Sequence, residues 1–255
     1  MSLGFRVVIP ARYQSSRFPG KPLIELAGKT MLQHVWERAC ESGASHVVIA
    51  TDDERIAGAA DAFGADACMT ADSHQSGTDR IAEVVERRGW HDDEIVLNLQ
   101  GDEPLTPPRV LAQAAADLAS WPSASIATLA CRLADPARLE DPNVVKVVTD
   151  IDGFALYFSR APIPYWREGR PADDCELPSL RHVGIYAYRG GFLKKYRQLA
   201  PAALERAERL EQLRALAHGY RIHVTEVDWL PAGGVDTRED VAAVEAALQR
   251  QFGQR

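Results

Sequence analysis

Two signatures that make a nucleotide-binding chain easy to read are missing from these 255 residues. No G-x-x-x-x-G-K-[ST] run occurs and no G-x-G-x-x-G follows the first predicted strand. That argues against a P-loop NTPase and a nicotinamide dehydrogenase together. Cysteine is sparse: Cys40, Cys68, Cys131 and Cys175 are dispersed without a C-x-x-C pair. Reduced core thiols are expected rather than disulfides. No apolar run approaches the roughly 20 residues that span a bilayer, and the start of the chain lacks the regions of a signal peptide. A cytoplasmic protein with no membrane partner is expected. Positive charge is in deficit, 29 Lys+Arg against 36 Asp+Glu, for a formal net charge of −7. A nucleic-acid-coating role is disfavoured, so an anionic ligand must be held by local cations and a metal. Repeats and low-complexity tracts are also absent.

What is present is an alternation of strand and helix patterns. Buried strands are expected at Phe5–Ile9, Val47–Ala50, Cys68–Thr70 and Ile95–Leu99. Helices are expected at about Met31–Ser42 (Met31, Val35, Ala39 and Cys40 inward), Asp53–Phe63 (capped by Asp52), Thr78–Arg88 and Pro107–Ala119. This order implies a Rossmann-like, mostly parallel α/β sheet with helices on both faces. After Trp121 the rhythm changes. Strands are expected at Ser125–Cys131, Val144–Thr149, Ala155–Ser159 (after an Asp152-Gly153 turn), Val183–Tyr188 and Ile222–Val227. Helices are expected at Gly190–Arg197, Leu204–Ala217 and Thr237–Gln251, and a mobile polar loop at Arg167–Pro178. The chain reads as one domain over 1–255, with a core of about 1–130 and 222–255 and an embedded mixed β/α lobe of about 131–221.

The most informative stretch is Pro10-Ala11-Arg12-Tyr13-Gln14-Ser15-Ser16-Arg17-Phe18-Pro19-Gly20-Lys21-Pro22. It leaves the carboxyl end of the first strand, where open parallel sheets bind ligands. Arg12, Arg17 and Lys21, together with hydroxyls and loop N–H groups, suit a polyanion such as a nucleoside triphosphate. Asn98-Leu99-Gln100-Gly101-Asp102-Glu103-Pro104 leaves another strand at the same edge. Asp102 there suits Mg²⁺, although Gly-Asp is also ordinary turn chemistry. Asp236, in Gly233-Gly234-Val235-Asp236-Thr237, is the second acidic candidate; an N-cap is the alternative.

Ser76-Gly77-Thr78-Asp79-Arg80 opens a helix whose first N–H groups can bind a base or phosphate, or merely be capped. Ala50-Thr51-Asp52 either contacts ribose or caps the next helix. By residue pattern alone, the polar members of Arg181-His182-Val183-Gly184-Ile185-Tyr186 and Leu210-Glu211-Gln212-Leu213-Arg214 read as polar outer faces.

Taken together, these segments resemble the 3-deoxy-manno-octulosonate (Kdo) cytidylyltransferase family, of the nucleotide-diphospho-sugar transferase fold. The resemblance also rests on Asn143-Val144-Val145-Lys146-Val147-Val148 and Tyr157-Phe158-Ser159-Arg160-Ala161, and covers almost the whole chain. Pro10-Ala11-Arg12 stands where hexose-phosphate relatives have paired glycines, while Phe18 and Ser16 replace the family's usual Leu and Thr.

The resemblance implies transfer of CMP from CTP to Kdo with release of pyrophosphate, for lipopolysaccharide synthesis. Catalytic roles fall to Arg12, Lys21, Asp102 and Asp236, the two aspartates as ligands of Mg²⁺. CTP would be bound by Pro10, Ala11, Arg12, Ser16, Arg17, Lys21, Thr51 and Asp52 from the first two strand ends. Ser76, Gly77, Thr78, Arg80, Gln100 and Gly101 would complete that site, with Arg80 and the Ala11 backbone facing cytosine. Gln100, Arg160, His182, Tyr186, Glu211 and Gln212 would read the sugar. A homodimer built on the β-rich lobe is also implied. The rivals are a CMP-sialic acid synthetase and a non-catalytic nucleotide-sugar sensor. Survival of Lys21, Asp102 and Asp236 argues against the sensor.

Overall fold

A computed structural model describes residues 4–14, 18–74, 76–133, 135, 137–168, 179–228, 234–235 and 237–252. Four parallel strands form one half of the sheet: β1 (Phe5–Ala11), β4 (His46–Thr51), β5 (Asp66–Met69) and β6 (Ile95–Asn98). In β1, Val7, Ile9 and Ala11 face one core and Val8 the other, the two-residue period of a strand buried on both sides. Helices α1 (Met31–Glu41), α2 (Glu54–Ala62) and α4 (Pro108–Ser120) cover the first face, and α3 (Gly77–Arg87) the second.

The other half of the sheet is mixed. Strands β7 (Ile126–Arg132) and β11 (Ile222–Glu226) pair in parallel, and β10 (Leu180–Arg189) runs antiparallel between β7 and β6. The order is β11-β7-β10-β6-β1-β4-β5. The hairpin β8 (Lys146–Thr149) and β9 (Ala155–Ser159) joins the N-terminal end of β10. The segment 131–221 is thus continuous with the central sheet through β10. The short helices α5 (Ala137–Glu140), α6 (Gly190–Tyr196), α7 (Ala203–Glu208) and α8 (Gln212–Ala217) surround this half. The terminal helix α9 (Asp240–Phe252) returns to the β1 loop, where Glu245 accepts the Ala27 N–H at 2.8 Å.

Several expectations are corrected. The single helix 204–217 is two, α7 and α8, because Arg209 takes a left-handed φ of 54°. Asp53, not Asp52, caps α2, since its carboxylate accepts the Arg55 N–H at 3.0 Å. Cys40 is exposed and Leu32 fills the inward face of α1 instead. Cys68 and Cys131 are buried free thiols, while Cys175 lies outside the described residues. The hairpin β2 (Glu25–Leu26) and β3 (Lys29–Thr30) has no counterpart in the sequence pattern; two-residue strands leave almost no periodic signal. Most of the Arg167–Pro178 loop is outside the described residues.

Candidate active site

Register places the candidate loops side by side. Ala11 at the end of β1 lies opposite Thr51 at the end of β4, and Val8 opposite Asn98 at the end of β6. All three strands therefore release their following loops at one edge. A cleft of about 210 Å³ opens there, lined by Pro10, Ala11 and Arg12 from the first loop with Lys21. Gly77 and the Gln100-Gly101-Asp102 turn complete it, together with Gln14 and Pro22, to which the sequence pattern gives no role. Gly101 allows close packing, since an added Cβ would lie 3.0 Å from the Pro10 carbonyl oxygen.

Lys21 Nζ donates to Asp102 Oδ2 at 2.6 Å. Arg12 Nη2 donates to the His74 carbonyl, and burial followed by the nearby Arg80 charge lowers the Arg12 pKa. An arriving anion would relieve that repulsion. Arg80 itself is fully buried, bonded to Asp52 at 2.6 Å and to Thr70, and its Nε has no partner among the described residues. Thr51 is also fully buried and its hydroxyl accepts the Asp53 N–H at 3.2 Å, so its side chain supports the start of α2 rather than lining the cleft. Ser76 caps α3 by accepting the Asp79 N–H at 3.0 Å. Ser16, Arg17 and Asp236 lie outside the described residues, as does any pairing of Asp236 with Asp102.

The sugar candidates gather next to this cleft because of β10. Tyr186 pairs with Asn98, so the preceding residues of β10 run past the end of β6, over the cleft edge. The register of β10 against β7 shifts between Val183 and Tyr186, an irregularity that re-aims side chains. His182 Nε2 bonds Thr128 Oγ1 at 2.9 Å, and its ring lies 5.3 Å from that of Tyr186. Protein surrounds both residues closely although part of each meets solvent. Desolvation accordingly lowers the His182 pKa to about 3 and raises the Tyr186 phenol. Both are neutral hydrogen-bonding groups at neutral pH.

Glu211 accepts from Thr78 Oγ1 at 2.9 Å, joining the start of α8 to the start of α3. It is open to solvent, yet desolvation raises its pKa. The two observations agree for a carboxylate held against Thr78 on one side and reached by water on the other. Gln212 is buried, and its Nε2 has no partner among the described residues. Arg160 Nε donates to the Glu208 carbonyl at 2.8 Å, which sets it against the turn leading to Glu211. His182, Tyr186 and Gln212 are therefore not a polar outer face, whereas Glu211 keeps a solvent-facing side. Asn98, buried with an unpartnered Oδ1 among the described residues, escapes sequence reasoning; a polar residue ending a buried strand is the available signal.

The cytidylyltransferase family model matches residues 6–222. A 3-deoxy-manno-octulosonate cytidylyltransferase of Pseudomonas syringae pv. syringae is 54% identical over 253 residues, covering 98% of this chain and 100% of the relative. The chain belongs to the 3-deoxy-manno-octulosonate cytidylyltransferase family. Another cytidylyltransferase of that name, from Haemophilus influenzae, is 52% identical over 252 residues, covering 96% of this chain and 99% of its own. A solved CMP:2-keto-3-deoxy-manno-octonic acid synthetase complexed with CTP superposes with a TM-score of 0.89 at 43% identity, over 97% of this chain and 99% of that one. The α/β nucleotide-sugar transferase fold expected from the sequence is therefore the fold of this cytidylyltransferase family member.

Proposed function

We propose that the protein transfers CMP from CTP to the anomeric hydroxyl of Kdo, forming CMP-Kdo and pyrophosphate. The observation that carries this reading is the convergence of Arg12, Lys21 and Asp102 on one cleft in a chain of this family. The sugar oxygen attacks the α-phosphorus, the bond to the bridging oxygen breaks, and pyrophosphate departs with that oxygen. Arg12 and Lys21 hold the triphosphate and offset the charge that builds on its oxygens, an effect that grows in a desolvated cleft. Gly77 presents the start of α3 to the nucleotide.

Asp102 offers hard carboxylate oxygens inside the cleft, which fit Mg²⁺, and Asp236 is the second proposed ligand. Bound Mg²⁺ would polarise the α-phosphate. Gln100, Arg160, His182, Tyr186, Glu211 and Gln212 read the carboxylate and hydroxyls of Kdo, and the wrong sugar would leave such partly desolvated groups unpaired.

The chain is read as one domain with an embedded lobe, acting in the cytoplasm as a homodimer. Among the described residues no helix is long and apolar enough to cross a membrane. Exposed Ile151, Leu156 and Tyr165, in and just beyond the β8–β9 hairpin, support an interface there. Pyrophosphate release from CTP and Mg²⁺ should require Kdo and cease with a chelator. Release only with sialic acid would keep the chemistry and overturn the sugar; release with neither would overturn the reaction.

A further inference from the structure

The loop between β5 and α3 is held by a buried carboxylate that no catalytic or binding step uses. Glu83 lies on the inner face of α3 and is 7% exposed. Its Oε2 accepts the Ala71 N–H at 3.0 Å and meets His74 Nε2, while Oε1 accepts Arg87 Nε at 2.6 Å. Burial works to raise its pKa, but Ala71, His74 and Arg87 outweigh burial and hold it at about 2. The Nε2 atom of His74 is thereby engaged by Glu83, and the His74 main-chain carbonyl accepts from Arg12 Nη2.

The choice of acceptor matters chemically. A carboxylate bonded to Arg12 would orient the guanidinium and also neutralise it, as Asp52 does for Arg80. A carbonyl orients it and leaves the positive charge for a ligand. Asp52, Glu211 and Asp79 act on Arg12 only through space. Nor is the buried group needed to start α3, whose first turn Ser76 already caps.

We propose that Glu83 and His74 are a positioning pair that sets the Arg12 guanidinium against the phosphates of the nucleotide. The proposal rests on the reading of Arg12 as a phosphate ligand. Neither residue touches substrate; both act through Arg12, by way of the His74 carbonyl.

The test is CTP binding by titration calorimetry on the intact protein, with sugar KM measured alongside. The variants are Arg12→Ala, His74→Ala, Glu83→Gln and the Arg12→Ala/His74→Ala double. His74→Ala and Glu83→Gln should each weaken CTP binding about tenfold and leave the sugar KM within about twofold. The double variant should bind CTP no more weakly than Arg12→Ala alone, because the pair has nothing left to position. His74→Ala leaves Glu83 its Ala71 and Arg87 partners, so it carries the test if Glu83→Gln fails to fold. Additive losses in the double, or sugar and CTP affinity falling together, would mean a merely structural role and overturn the proposal. Weakening by Arg12→Ala with no effect of the pair overturns the proposal alone. A wild-type protein that binds no CTP overturns the parent reading as well.

Discussion

Lys21 Nζ and Asp102 Oδ2 lie 2.6 Å apart although 81 positions separate them in the chain. Their side chains are 13% and 32% exposed, so the pair sits in the mouth of the cleft rather than in the core. In the proposed roles, a cation for phosphate is thus held by a carboxylate for metal. Under that proposal, each keeps the other in place until the nucleotide supplies a replacement partner.

Lys21→Met and Asp102→Asn should each lower kcat/KM by about 10²–10³-fold, the cost of losing one preorganised charge. Stability should change by less than about 1 kcal/mol, because a partly exposed pair contributes little. Pyrophosphate release and urea denaturation on the same samples check both halves. Near-normal turnover in either variant removes that residue from the mechanism.

The buried pair should behave in the opposite way. Asp52→Asn leaves the Arg80 charge buried without its counter-ion and should cost about 3 kcal/mol. Adding Arg80→Met should restore part of that loss in a denaturation midpoint. If the double variant is less stable than Asp52→Asn, the charge is not the cause.

Close backbone approach makes Gly234 sensitive. A Cβ there would stand 2.7 Å from the Asp102 carbonyl oxygen, which also accepts the Val235 N–H at 3.0 Å. Gly234→Ala should push the Asp102 turn away from Lys21 and lower kcat about tenfold or more. Unaltered turnover would show that the turn yields without moving its carboxylate.

Acid should weaken the fold in two windows. The folded His182 pKa is depressed to about 3 from an ordinary 6.5, so its contribution is full above 6.5 and lost as pH falls toward 3. The Glu83 pKa is depressed to about 2 from 4.5, so its contribution is full above 4.5 and lost as pH falls toward 2. His182→Gln should flatten the upper part of a stability–pH curve and Glu83→Gln the lower part. A wild-type curve flat over both windows would mean that neither group titrates with folding in this way.

By itself the sequence determined most of the longer local elements and the family, but not the β2–β3 hairpin or the division of 204–217 into two helices. Buried strands such as the one expected at Phe5–Ile9 announce themselves by an apolar run, here interrupted only by Arg6, and the Pro10–Pro22 loop by its cations, because period and turn chemistry act over a few residues. Only the tertiary structure decided which polar groups meet. Insertion of β10 antiparallel between β6 and β7 sets Tyr186 beside the end of β6 and carries His182 past it, where residue pattern alone suggests an outer face. The break at Arg209 turns Glu211 toward Thr78, and long-range packing buries Arg80 against Asp52. Such contacts depend on strand order and register, which join residues far apart in the chain and leave no periodic trace in the residues between them.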